Sequence, residues 1–246
     1  MKRFKAQRVY GYCSRQDAKN DQDGKFVKVK WVRINKGSKL HPNVRCRLVA
    51  QEIAYGMKDD ELYAGTPSLS TMKMLLSWYA SSGSDVDVIC IIDVKSAFLY
   101  GKARRKVYIE LPSQDERSGG PWVGLLDKDM YGTRDAPLIW RATVDAVMKK
   151  NGFSCCTLQP GVYVNHERNI QVMIHVDDFL IIGNFHEVKW LEIRLRAEFE
   201  IKSTYVGRSH QREVKYLNRT ICWTEEGITV ESDNKHVQTL LRHGRL

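Results

Sequence analysis

The chain has 246 residues, 43% hydrophobic and 10% aromatic, enough for one large domain or two small ones around a sizeable core. Lys and Arg number 39 against 29 Asp and Glu, and the net charge of +10 suits a polyanion such as nucleic acid, although a basic surface also serves solubility alone. The six cysteines include no CxxC pair and no Cys/His cluster with zinc spacing, which excludes a zinc module.

The scattered cysteines read as reduced thiols, so the expected location is intracellular, cytoplasmic or nuclear. MKRFKAQRVYGYCSRQ has no apolar stretch of the signal-peptide kind, and no apolar run reaches the ~18 residues of a membrane span, so neither secretion nor a membrane is expected.

Residues 1–24 are polar and charged and predict a poorly ordered lead-in. FVKVKWVRI then alternates apolar and basic residues as a strand does, NKGSKLHPN is a turn, and VRCRLVA alternates again. The period of two places Arg45 and Arg47 on one face, where they serve either a ligand or a solvated strand edge. A helix is expected from Ser70 to Ser82, with Met72, Leu75, Leu76, Tyr79 and Ala80 as its buried stripe and Gly83 as its stop. VDVICIIDVKSAFLYG opens as a buried strand and then meets Asp93, either a site residue at a strand end or a cap of the next turn.

VYIELP reads as a strand and QDERSGGP as a surface loop. A Gly-containing turn follows, then a helix led by Pro137 that buries Trp140, Val144, Val147 and Met148 and stops at Gly152. GVYVN pairs with IQVMIHV, and a helix over 186–199 buries Val188, Leu191, Leu195 and Phe199. KYLNRTICW, GITVES and a short helix with Val237, Leu240 and Leu241 complete the chain. Strands and segregated helices in this mixture predict an α+β fold.

The stretch QVMIHVDDFLIIGN sets Asp177 and Asp178 side by side in an apolar run, where burial and mutual repulsion both cost free energy. Two readings account for them. One is a hairpin whose tip is an ordinary Asp turn. The other is a hairpin that offers two carboxylates to a hard divalent cation, with Asp93 as a third from elsewhere in the chain.

RCRLVAQE, DVKSAFLYG, YIELP, LDKDMYGTRDAPLIW, NGF and HVDDFLIIG together resemble the reverse transcriptase domain of copia-type retrotransposons, over about residues 25–242. The resemblance implies a right-hand polymerase fold, with fingers and palm over 25–204 and a partial thumb or the end of the palm over 205–246. It implies an RNA-directed DNA polymerase, a domain of a polyprotein, that adds dNTPs to a primer on an RNA or DNA template. It also implies two Mg²⁺ ions, with Mn²⁺ able to replace them, held by Asp93, Asp177 and Asp178 as the catalytic carboxylates.

Other positions carry over one by one. Arg45 and Arg47 would grip the triphosphate, and the Val94 backbone would face it. Phe98 would exclude a ribose 2′-hydroxyl, or is a plain core aromatic. Gly132 would let the backbone approach template–primer or nucleotide, and Arg134 would contact phosphate or pair with Asp135. His175 stands where the family has Tyr, beside the primer end, and GTRDAP replaces the family's GLKQAP. LNRT and DNKH, with Asp233 and His236, resemble a subgroup from unicellular algae. Two other readings stay open: an inactive remnant that only binds nucleic acid, and a different two-metal enzyme such as a nuclease.

Overall fold

The computed structural model describes residues 1–52, 66–81, 87–232 and 241, apart from the Lys2 side chain. The expected tail helix, with Val237 and Leu240, and the DNKH stretch lie outside these residues. In chain order the elements are α1 (Lys2–Ala6), β1 (Tyr10–Ser14), α2 (Arg15–Asn20), β2 (Lys25–Val27), β3 (Val29–Asn35), β4 (Val44–Ala50), α3 (Leu69–Ser81), β5 (Asp87–Val94), a 3₁₀ turn (Ala97–Tyr100), β6 (Val107–Ile109), β7 (Trp122–Leu126), α4 (Ala136–Lys150), β8 (Ser154–Cys155), β9 (Val162–Asn165), β10 (Ile170–His175), β11 (Asp178–Asn184), α5 (Phe185–Glu198), β12 (Ile201–Val206), β13 (Glu213–Tyr216), β14 (Arg219–Thr224) and β15 (Gly227–Ser232). The mixture is α+β, as expected. No helix among the described residues is long and apolar enough to cross a membrane.

The chain forms two compact units, each built from two stretches. One joins Met1–Ala64 to Ser96–Val144, and the other joins Gly65–Lys95 to Asp145–Leu246. These divisions differ from the expected boundaries at residues 24 and 204.

In the first unit, residues 1–24 are not a loose lead-in. β1 is a sheet edge, in the order β1-β7-β6-β2, and the Tyr10 and Tyr12 hydroxyls donate to the buried Asp115 carboxylate at 2.7 and 3.1 Å. Arg15 adds a forked pair to Glu110 at 2.7 and 2.6 Å. Aromatic anchors and a bidentate pair thus order a stretch whose overall polarity suggested disorder. FVKVKWVRI breaks at Lys28 into two strands with different partners: β2 pairs parallel with β6, and β3 pairs antiparallel with β4.

Asp129 is a buried carboxylate in this unit, 3% exposed. Its Oδ1 accepts from the Thr133 hydroxyl and from the Met130 N–H, while Oδ2 has no partner among the described residues. Burial outweighs the Thr133 hydrogen bond and pushes its pKa up to about 6. A carboxyl raised in the folded state holds its proton longer there than in the unfolded chain. Its contribution is therefore fully present below pH ~4 and is lost as pH rises to about 6. Asp129→Asn removes this drift, on the order of 2 kcal/mol between pH 4 and 7. Urea midpoints for both proteins across that range check it, and parallel curves would refute it.

The second unit holds a six-stranded sheet in the order β12-β5-β11-β10-β9-β8 and a three-stranded sheet in the order β13-β14-β15. Strand alternation splits the large sheet into two faces. Ile89, Ile91, Leu180, Ile182 and Met173 pack with Met72, Leu75 and Tyr79 of α3 and with Tyr216 and Ile221 of the small sheet. Residues of opposite parity, among them Cys90, Ile92, Phe179 and Ile181, are buried on the other face. The helix expected over 186–199 is α5, and the expected pairing of GVYVN with IQVMIHV is the register Val162↔Met173 to Asn165↔Ile170.

One charge is buried with the apolar stripe of α5. Glu192, 2% exposed, accepts from Lys189 Nζ, Arg196 Nη2, Ser203 Oγ and Tyr205 Oη, each within 2.5–2.6 Å. Burial alone would raise its pKa, but these donors outweigh it and bring the carboxyl down to about 2.

Candidate active site

Asp93 lies near the end of β5, a strand that pairs antiparallel with β11 on one side and β12 on the other. The registers align Asp93 with Asp178, Asp178 with His175, and Asp93 with Lys202. Cross-strand partners share a face and lie about 5 Å apart at Cβ. One row therefore runs His175–Asp178–Asp93–Lys202 across four strands, on the face that carries Ile91 and Leu180. His175 and both carboxylates are half-buried and Lys202 is exposed. Lys202 escaped the sequence reading, because IKSTYV was not recognised as a strand.

Val176 and Asp177 form the two-residue loop between β10 and β11. Val176 has φ of 58°, and Asp177 is not among the residues of positive φ, the signature of a type II′ hairpin. A β-branched residue in the left-handed region costs on the order of 1–3 kcal/mol, so the rest of the sheet holds this tip in place. The Asp177 carbonyl accepts the Val94 N–H at 2.9 Å and ties the tip to the end of β5. That bond commits the Val94 N–H, so it is not a free donor at the end of β5.

The turn reading and the strand-end position divide between the two acids. Asp177 is a turn residue, and Asp178 begins a strand directly opposite Asp93. Among the described residues no three His, Cys, Asp or Glu side chains are already drawn together as a metal cluster. The donor set nevertheless fits a hard cation: three carboxylates at one end of two adjacent strands, with a buried phenol, Tyr216, within electrostatic reach of Asp178.

The first unit gathers the other candidates around Tyr131. The Arg47 guanidinium lies over the Tyr131 ring at 5.2 Å, and the Phe98 ring meets it edge-on at 4.8 Å. Arg45 is exposed on the same strand as Arg47, two residues earlier. Phe98 is half-buried, so it is not enclosed in a core. The Tyr131 carbonyl accepts the Ala50 N–H at 2.7 Å, which places the turn against the end of β4.

Gly132 follows with φ of 86°, and a Cβ there would drive into the Ala50 carbonyl and the Val49 side chain. The close approach that needs glycine is to this chain's own strand. Gly132→Ala costs roughly 2 kcal/mol or more from the left-handed backbone and the clash together, read as a lower urea midpoint; an unchanged midpoint would refute the packing role.

Arg134 donates its backbone N–H to Glu52 at 2.8 Å. Asp135 pairs with Arg105 at 2.6 Å, and the same Arg105 holds Glu52 at 2.9 Å. The acid that departs from the family spelling thus belongs to an ion-pair cluster that braces the turn.

An antiparallel sheet carrying facing carboxylates on two adjacent inner strands, with a carboxylate hairpin at their end, is the arrangement that the resemblance to a polymerase palm implies. The model of the reverse transcriptase (RNA-dependent DNA polymerase) family matches residues 16–236. The chain belongs to that family, as a copia-type retrotransposon reverse transcriptase domain. It is 32% identical over 165 residues to the retrovirus-related Pol polyprotein from transposon TNT 1-94 of Nicotiana tabacum, covering 64% of this chain and 12% of that protein. It is 30% identical over 93 residues to a putative transposon Ty5-1 protein of Saccharomyces cerevisiae, covering 37% of this chain and 30% of that protein. The chain therefore spans a minor part of the curated relatives it matches. Its fold is similar to that of telomerase from Candida albicans, solved with the TWJ fragment of telomeric RNA, with a TM-score of 0.55 at 10% identity over 93% of this chain and 48% of that one.

Proposed function

We propose that this chain extends a primer 3′-hydroxyl with dNTPs along an RNA template, using Asp93, Asp177 and Asp178 to hold two Mg²⁺ ions. The observation that carries this reading is the register Asp93↔Asp178, which sets two carboxylates face to face on the central strands of the palm. Bound divalent ions supply an activated 3′-oxygen and neutralise charge on the triphosphate. The three carboxylates hold and orient that charge. Lys202, in the same row, adds a cation suited to the negative charge that grows on the leaving pyrophosphate. Arg45 and Arg47 present forked donors suited to phosphate, and the Tyr131 ring keeps the Arg47 fork in place. Phe98, held edge-on by the same ring, would exclude a 2′-hydroxyl, as the family resemblance implies.

The partners are then template–primer and dNTPs, and the net charge of +10 supports the former. The test is extension of a DNA primer on an RNA template with the native chain, with and without Mg²⁺. Extension that requires Mg²⁺ and falls when rNTPs replace dNTPs supports the reading. Salt-sensitive template–primer binding without extension at any Mg²⁺ or Mn²⁺ concentration would overturn it in favour of a binding remnant. Hydrolysis without extension would favour a nuclease.

A further inference from the structure

Tyr216 ends β13 and is held there by a tight hairpin, since its partner is Arg219 and the loop residues Leu217 and Asn218 both have positive φ, 46° and 58°. Its ring belongs to one buried cluster with Ile91, Leu180 and Ile182, which lie on the face of the large sheet that carries Asp93 and Asp178. The side chain is 2% exposed, and its hydroxyl has no hydrogen-bond partner among the described residues. A buried hydroxyl without a partner costs roughly 1–3 kcal/mol, and a phenylalanine would fill the same space without that cost. The Asp178 carboxylate lies within electrostatic reach of this phenol, and a phenol O–H is a hydrogen-bond donor at neutral pH.

We propose that Tyr216 is a positioning residue for the metal site, its phenol O–H donating to the Asp178 carboxylate when that carboxylate turns toward a bound divalent cation. The proposal rests on the metal-site reading above. The bond fixes which oxygen of Asp178 is given to the metal, as second-shell donors do for metal-bound carboxylates. No sequence motif pointed to Tyr216. The ring has the look of a core aromatic, and only its unsatisfied oxygen, within electrostatic reach of Asp178, distinguishes it.

Tyr216→Phe tests the proposal, because it keeps the ring and removes only the oxygen. Mn²⁺ titrated onto the full chain, with the free ion followed by electron paramagnetic resonance, reads the site without turnover. The expected result is about 10-fold weaker Mn²⁺ binding, with the melting temperature in metal-free buffer unchanged or higher. In primer extension the same variant lowers kcat and raises the Mg²⁺ needed for half-maximal rate, with the dNTP KM unchanged. In an Asp178→Asn background the Tyr216→Phe change has no further effect on Mn²⁺ binding, which a merely structural role would not produce.

Equal Mn²⁺ affinity in native and Tyr216→Phe chains overturns the proposal, as does a loss of affinity that persists undiminished in the Asp178→Asn background. A native chain that binds Mn²⁺ yet extends no primer defeats the polymerase reading alone and leaves this comparison intact. A native chain that binds no Mn²⁺ overturns the metal site and the proposal together.

Discussion

Asp93→Asn lowers primer extension by about 10³-fold or more, while its melting temperature in metal-free buffer stays at or above that of the native chain. Both halves follow from the register. Asp93 and Asp178 face each other across β5 and β11, and like charges directly opposite one another destabilise a sheet. An amide of the same shape relieves that repulsion and leaves the packing of Ile92 and Val94 untouched. Activity behaves in the opposite way, because metal-borne stabilisation of the developing charge is worth several kcal/mol, and each 1.4 kcal/mol is about tenfold in rate. Addition of Mg²⁺ separates the effects further. A site filled at about 100 times its dissociation constant stabilises the native chain by about 2.7 kcal/mol, and the variant gains little. Extension equal in the two proteins would remove Asp93 from the site.

Glu192→Ala produces the largest loss of stability, about 3 kcal/mol, read from the urea midpoint. Removing one partner of a buried charge network typically costs roughly 3–5 kcal/mol. The lower end applies here, because Lys189 and Arg196 are about half exposed and regain water once the carboxylate is gone. Ser203 and Tyr205 are the groups left without an acceptor. Glu192→Gln keeps the shape and loses the charge, and falls between the two. The pH dependence has a definite sign. A carboxyl held at about 2, below its ordinary 4.5, contributes fully above pH ~4.5 and loses that contribution as pH falls toward 2. Native and Glu192→Gln chains therefore converge in stability as the solution is acidified. Curves that stay parallel from pH 7 to 3 would refute the network.

The carboxylates of the site were legible in the sequence because an acid inside an apolar run has few inexpensive explanations. Helices α3 and α5 were legible from their stripes, since 3.6-residue periodicity survives whatever packs against it. β12 was hidden because IKSTYV alternates weakly, with Lys202, Ser203 and Thr204 in succession, and Lys202 was missed with it. β1 was hidden because its anchors are long-range: Tyr10 and Tyr12 reach Asp115, a residue that read as surface loop. Gly132 was noticed for the right property without its neighbour in this chain, because sequence shows that glycine is needed and not what approaches it. Glu192 left a signal that went unused: it sits four residues after Val188 and three before Leu195, on the buried stripe of α5.

The interleaved make-up of the two units governs how the chain can be synthesised and folded. The stretch through Ala64 lacks its partners until Ser96–Val144 has been made, so the first unit is whole only once residue 144 has left the ribosome. β5 waits longer. Its neighbours are β11 and β12, so the apolar run VICII has both edges unpaired until β11 is made at residue 184 and one edge unpaired until residue 206. Pairing of such sequence separation is slow, and an unpaired apolar strand invites association with other chains. Neither unit can be excised as one continuous piece. A nascent chain halted between residues 95 and 178 should carry a sticky, half-built palm, the species for which a chaperone would compete.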